Sequence, residues 1–529
     1  MPADPAAEKQ SLSRRAVRLL RPSHQHSAFS ATVLLMAAVA LSRVIGYVRE
    51  AYIAWAFGAG AQTDAYVAAF TIPDWLNYLV AGGTASITFI SIFSRYSAAG
   101  RDDEAQKAFS TVITITSVVL IAGIAVAEVF TPQLVRLLFP RFTPEQSQLC
   151  IFLTRILLPA QLFFYVGGIV SAVLASRRMF LFPALAPLLY NVFIILGGVL
   201  LGSRYGITGL AIGAVAGSFA GPFLINAIGA GRSGMRYSLS FDFAHPGFRE
   251  WVALSIPLML GVSVVAADEW ILRYFASGGQ GDITRLNYAK RLFAVPIAVL
   301  GQAAGQASLP FFARLFGEGR TREFSRSVSG SVYRIAAVSA LAAAWTMAAA
   351  LPLVDLVYRR GLFTYGDSQE TAVFLFWFAL SLPAWAAQAL YSRAFYAAGN
   401  TLTPMIAATV VTVASLPLYN WLFDAYGVVG LAWASDLAII AHTLVIAVLL
   451  HRRGLVALPD LPWVELWKAV AVAVAAGGLA WMVGRTLSPR PSYTNDLLQV
   501  AVTFLTWGAA AALGLWLTRS DLLSQLRRS

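Results

Sequence analysis

Apolar runs of about 18 to 25 residues recur along the chain from Ala28 to Leu517, separated by short polar stretches. Each is long enough to cross a hydrocarbon core of about 30 Å as a helix. The strict two-residue alternation of a transmembrane strand is absent, and in lipid only a helix or a closed barrel satisfies every backbone group. The pattern predicts an all-α polytopic membrane protein. Helices are expected near 28–48, 65–92, 109–130, 147–175, 182–202, 207–229, 250–277, 286–313, 330–356, 370–398, 402–423, 427–450, 465–484 and 495–517, fourteen in all, with ends accurate to several residues.

A weak internal repeat organises these helices. Phe93-Ser94-Arg95, followed by Gly100-Arg101 and Glu104, matches Phe312-Ala313-Arg314, followed by Gly319-Arg320 and Glu323, at one constant offset. The segment FGAGAQTDA from Phe57 echoes FASGGQGDI from Phe275, setting Asp64 against Asp282, and the run around Arg177 loosely echoes the run around Arg393. Two six-helix lobes are implied, and because six is even both enter the membrane in the same direction, giving a parallel repeat. The expected organisation is a basic N-terminus 1–27, an N-lobe 28–230, a linker 231–249, a C-lobe 250–451, two further helices in 465–518 and a tail 519–529. Lobes related in this way enclose a central cavity, the usual geometry of alternating access. Gly213, Gly217 and Gly221 in the sixth helix stand four apart, a spacing that permits close helix packing.

Composition agrees: 58% of residues are hydrophobic and 12% charged, against roughly 25% charged in soluble domains. Cys150 is the only cysteine, which excludes a disulfide framework and CxxC metal sites. The five histidines are scattered, and no HExxH, GxSxG or Walker loop is present. No enzyme activity and no cofactor is expected. The formal charge of +13 comes from arginines in short loops, the signature of topology rather than of nucleic-acid binding. Placing Arg95, Arg101, Lys107, Arg177, Arg178, Arg232, Arg314, Arg320 and Arg452 inside puts both termini in the cytoplasm.

A charge at mid-membrane costs roughly 2.5–3.5 kcal/mol on insertion scales, so it normally faces a cavity or a partner. Helix 1 holds Arg43 well inside its apolar run, then Arg49 and Glu50. Helix 7 carries Asp268, Glu269 and Arg273, and helix 8 carries Arg285, Lys290 and Arg291. Arg43, Arg49, Arg273 and Arg291 are candidate contacts for an anion, because a guanidinium binds a pyrophosphate bidentately and keeps its charge when partly desolvated. The alternatives are snorkelling for Arg49 with Glu50 and a local pair for Arg273 with an acid on its own helix. Asp268 and Asp436 are candidates for ion coupling, with sodium or a proton as the ion and the membrane potential as a further drive. Trp75, Trp251, Phe374, Phe376 and Phe378 could line a lateral groove for a lipid tail, or could belong to aromatic belts.

The blocks SRVIGYVREAYIAWAFGAGAQTDAYVAAFTIPD from Ser42, NYAKRLFAVPIAVLG from Asn287, RGLFT from Arg360 and SRAFYAAGNTLTP from Ser392 resemble the MurJ (MviN) lipid II flippases of the MOP exporter superfamily. The resemblance covers nearly the whole chain. It implies a bacterial inner-membrane flippase whose partner is lipid II, the undecaprenyl-pyrophosphate disaccharide-pentapeptide, with possible contact to the cell-wall synthesis machinery. It also carries a functional role to Arg43, Arg49, Asp64 and Arg291. Helix 2 departs from the family pattern: Asn77 stands where the family has a cavity arginine and Gly82 where it has a glutamate. Arg273 or Arg285 would have to compensate, or the cargo is another polyprenyl-linked glycan. A MATE-like ion-coupled exporter and a non-transporting membrane scaffold are the remaining alternatives.

Overall fold

The computed structural model describes residues 28–80, 84–259, 264–487 and 492–522, and among them the chain is all-α. The basic N-terminus 1–27, Gly82 and the end of the tail, 523–529, lie outside the described residues. In chain order the helices are α1 (Ala28–Phe57), α2 (Ala61–Ala69), α3 (Thr71–Val80), α4 (Thr84–Ala98), α5 (Asp102–Leu138), α6 (Pro144–Leu157) and α7 (Ala160–Ser176). Then come α8 (Leu181–Tyr205), α9 (Thr208–Ser218), α10 (Asn226–Arg232), α11 (Pro246–Met259), α12 (Val264–Phe275), α13 (Asp282–Pro296) and α14 (Ala303–Gly317). The last are α15 (Thr321–Ala348), α16 (Ala350–Tyr358), α17 (Tyr365–Leu380), α18 (Leu382–Ala397), α19 (Leu402–Arg452), α20 (Trp463–Thr486) and α21 (Tyr493–Leu517).

Nine helical stretches among the described residues are long and apolar enough to cross a membrane, ten if α17 and α18, bent by 44°, form one span. Part of the difference from fourteen has local causes. Expected helix 2 is cut into α2, α3 and α4, the first break falling where Pro73 has no N–H to continue the ladder. Expected helix 7 is divided between α11 and α12. Expected helices 11 and 12 run together as α19, with a corner at Gly427, whose φ of 60° is left-handed.

Two compact units are formed: Met1–Ile53 with Ala61–Gly261, and Ala54–Gly60 with Val262–Ser529. The core of the first is built from Phe89, Phe93, Phe109, Tyr165, Val173 and Trp251, so α11 packs with it. That of the second joins Phe324, Val328, Phe395 and Leu450 to Ala473 and Leu515, so α20 and α21 pack with it. The expected repeat is visible at the corners. Gly100 (φ 72°) leads through Arg101 into α5, and Gly319 (φ 69°) leads through Arg320 into α15. Arg101 pairs with Glu104 at 3.4 Å, and Arg320 with Glu323 at 2.5 Å.

Glycines set the tightest packing in the first unit. A Cβ on Gly213, Gly217 or Gly221 would sit 2.5, 2.8 or 2.4 Å from the carbonyl oxygens of Phe193, Tyr190 and Ala186 on α8. Only glycine allows that backbone approach.

The linker between α10 and α11 is an extended strap lying along α5. The amides of Arg236, Ser238 and Ser240 donate to Gln106, Ser110 and Thr114 at 3.1, 3.2 and 3.4 Å. Two extended residues advance about 6.6 Å and four helical residues about 6 Å, so the two periods run in register. Lys107 Nζ adds an ion pair to Asp242 at 2.8 Å.

Candidate substrate and ion sites

In the first unit α1 carries Arg43 exposed and Arg49 half-buried. Arg49 Nη1 donates to Asn191 Oδ1 on α8 at 2.8 Å, while Nη2 pairs with Glu50. Asn191 in turn donates to the Pro187 carbonyl at 3.0 Å, which fixes its oxygen toward the guanidinium. Arg49 is thus engaged by protein groups, and Arg43 is not placed in that network. Asp64 on α2 is fully buried. Asn77 on α3 donates to Gln161 Oε1 on α7 at 2.9 Å. Both line a cavity of about 160 Å³ together with Asp74, Phe164 and Tyr190. Tyr190 also lies beside the Arg49 guanidinium, which brings Arg49 and Asn77 to one neighbourhood.

In the second unit Arg273 on α12 is buried and pairs with Glu269 at 3.5 Å. It shares a crevice of about 20 Å³ with Asn287 and Lys290. Arg291 on α13 is exposed. Arg285, the other proposed compensating cation, meets three carboxylates: Asp282 at 3.2 Å, Asp367 at 2.9 Å and Glu370 at 3.0 Å. It therefore serves to hold α13 against α17. The same unit holds a buried polar cluster. Lys290 pairs with Asp268 and stands over the Phe378 ring at 4.9 Å, and the Tyr419 hydroxyl donates to Asp268 at 2.5 Å. Asp436 is 5% exposed, and neither of its carboxylate oxygens has a hydrogen-bond partner among the described residues.

The RGLFT segment is built into the same unit. Gly361 has φ 58°, and a Cβ there would meet the Trp55 carbonyl oxygen at 2.1 Å. Leu362 N donates to that oxygen at 2.9 Å, Phe363 is buried, and Thr364 opens α17 with a capping box to Asp367. An apolar groove of about 810 Å³ runs beside α15 and α20, lined by residues including Met347, Phe376, Trp467 and Gly477. Of the five aromatics expected in a lateral groove only Phe376 lies there. Phe374 and Phe378 are buried, Trp251 belongs to the core of the first unit and Trp75 is half-buried.

A family model described as "Lipid II flippase MurJ" matches residues 53–497. The chain belongs to the MurJ family. It is 29% identical over 470 residues to the lipid II flippase MurJ of Burkholderia cenocepacia, covering 86% of this chain and 90% of that one. It is 27% identical over 507 residues to the probable lipid II flippase MurJ of Synechocystis, covering 92% and 93%. Among solved structures, an inward closed MurJ superposes with a TM-score of 0.75 at 23% identity over 91% of this chain and 99% of that chain. An inward-facing multidrug MATE transporter of the MOP superfamily superposes at 0.62 and 14%, over 79% and 98%. The MOP fold expected from the sequence is the fold found.

Within this MurJ frame, Asn191 and Tyr419 escaped the sequence reading. The signal for Asn191 is a lone amide inside the apolar run LLYNVFIIL, which in lipid demands a partner. Tyr419 gives no comparable signal, since a tyrosine between apolar residues is as readily an interfacial belt residue.

Proposed function

We propose that this chain carries lipid II from the inner to the outer leaflet of the bacterial cytoplasmic membrane by alternating access, with both termini cytoplasmic and without covalent chemistry. The observation that carries the reading is the family match across residues 53–497. Arg43 on α1 and Arg291 on α13 are each exposed, and a guanidinium is the side chain best suited to a pyrophosphate head group. The groove beside α20, almost wholly apolar, suits a polyprenyl tail. Arginines at these positions disfavour an organic cation as cargo. Depleting the protein and identifying the polyprenyl-linked precursor that accumulates in the inner leaflet tests the reading. Accumulation of lipid II supports it, and unchanged precursor pools point to the scaffold.

Asn77 favours a second reading. It replaces a cation with an amide that faces Gln161 in the 160 Å³ cavity, so this pocket offers neutral donors and acceptors, suited to a sugar hydroxyl. On that reading the same depletion accumulates a different polyprenyl-linked oligosaccharide.

A further inference from the structure

The strap over α5 has a second face. Gln106, Ser110 and Thr114 stand four apart on one side of α5, a helix long and apolar enough to span the membrane, and the same side continues as Val118 and Ile121, both exposed. The change from polar to aliphatic falls where the strap ends, so the strap covers the polar start of a face that beyond it is open to lipid. Toward α5 the strap presents the amides of Arg236, Ser238 and Ser240, while Ser240 Oγ and Tyr237 Oη lie 2.8 and 2.9 Å from the Thr111 and Thr114 hydroxyls. Away from the protein it presents Tyr237, Leu239, Phe241 and Phe243, every second residue, all exposed and Leu239 by 73%. Arg232 and Arg236 stand exposed where the strap begins and make no ion pair among the described residues, the strap's own Asp242 being taken by Lys107.

Two demands fix the surroundings of this row. The amides of Tyr237, Leu239 and Phe241, which alternate with the bonded ones, donate to no protein group among the described residues. They rule out the hydrocarbon core, where no water replaces a missing bond. Four large apolar side chains in a row are equally unsuited to bulk water. The boundary between head groups and acyl chains meets both demands, and it is where tyrosine and the apolar faces of surface-lying segments settle. A protein strand laid along the strap would meet them too. Lipid is favoured because Val118, one turn beyond Thr114 on the same side of α5, already belongs to the lipid-facing surface that the row continues. The two unpaired guanidiniums suit lipid phosphates at that level.

We propose that the strap is a membrane-lying anchor: the row Tyr237, Leu239, Phe241 and Phe243 is sunk into the head-group–acyl boundary of the leaflet at the N-terminal end of α5, with Arg232 and Arg236 on the lipid phosphates. The linker expected from the sequence is then no free aqueous tether. It is held by α5 on one side and by lipid on the other, and it sets the depth at which the polar first turns of α5 sit in the leaflet. The inference goes beyond the transport reading and rests on it only for naming that leaflet as the cytoplasmic one.

Spin labels on the full chain in vesicles of phosphatidylethanolamine and phosphatidylglycerol read this depth. With Cys150, the only cysteine, replaced by alanine, labels are placed singly through Leu239→Cys, Phe241→Cys and, as an exposed reference in the first turn of α5, Asp103→Cys. Relaxation by oxygen, which concentrates in lipid, is compared with relaxation by a water-soluble nickel chelate. The labels at 239 and 241 should collide more with oxygen and the label at 103 more with nickel. Phe243→Cys gives the same reading if either strap variant fails to fold. Adding Arg232→Gln and Arg236→Gln should lower the oxygen-to-nickel ratio at 239 and leave that at 103 unchanged; an unchanged ratio at 239 would overturn the role given to the arginines. Nickel-dominated relaxation at 239 and 241 would place the row in water, and shielding from both reagents would place it under protein, a second copy or another chain. Either result overturns the proposal. Vesicles that give the expected ratios but expose no lipid II would defeat the transport reading and leave the anchor standing.

Discussion

Arg49 and Asn191 are joined by a hydrogen bond of 2.8 Å between α1 and α8, and the same guanidinium pairs with the buried Glu50. Removing one partner of a buried ion pair costs about 3–5 kcal/mol, because the other charge stays behind. Arg49→Ala should therefore lower the melting temperature and the membrane yield, and adding Glu50→Gln should restore much of both. If Arg49→Ala leaves stability intact while abolishing transport, Arg49 belongs to the substrate site instead.

Arg43 and Arg291 should behave differently, since both side chains are exposed. Each alanine variant should insert normally and lose a charge-assisted contact worth about 1.5–3 kcal/mol, roughly a 10- to 150-fold loss of transport. Complementation at native expression measures this. Full rescue by both variants would remove them from the site.

The α8–α9 contact offers a packing test. With a Cβ on Gly213 placed 2.5 Å from a main-chain oxygen, Gly213→Ala cannot be relieved by a side-chain rotation, and overpacking of this kind costs about 1–3 kcal/mol. Thermal unfolding of the purified variant should show the loss, whereas Gly231→Ala, with open space at its Cβ and no left-handed backbone, should show little or none. Equal effects would contradict the close approach.

Acid should loosen the strap on α5. The hydrogen bond from Lys107 holds the Asp242 carboxyl below its ordinary range, and burial holds His245 below its usual value of 6.5. Both folded values lie under the unfolded ones, so both contributions are complete above the unfolded values and are lost as pH falls through the window down to the folded ones. His245 acts first, just below about 6.5, and Asp242 later, in the carboxylate range. Hydrogen exchange at the Arg236, Ser238 and Ser240 amides, corrected for intrinsic rates, should rise on acidification. Protection that holds or improves in acid would reverse the assignment.

Much of this was legible in the chain. The apolar periods gave the all-α membrane class, and the Gly-Arg corners at Gly100 and Gly319 gave the repeat, because a left-handed glycine before a helix is a local requirement. What was not legible depends on partners far apart in sequence. Arg285 reads as a lone cation at the start of helix 8, yet it closes on Asp367, 82 residues away. Trp251 and Phe378 read as groove or belt aromatics and are core residues, since a hydrophobic side chain does not announce which of two apolar surroundings it will enter. The breaks within expected helices 2 and 7 were hidden because hydropathy averages across them.

The central claim is that an anionic, pyrophosphate-linked head group crosses the membrane through this protein, and its most direct test is lipid II head-group exposure in proteoliposomes under a potassium–valinomycin potential of either sign. Two negative charges crossing 100 mV gain roughly 4 to 5 kcal/mol, less whatever the accompanying arginines offset. The account predicts exposure well above that of empty vesicles, faster when the starting compartment is negative. Exposure no faster than in empty vesicles, or equal at both polarities, would contradict it.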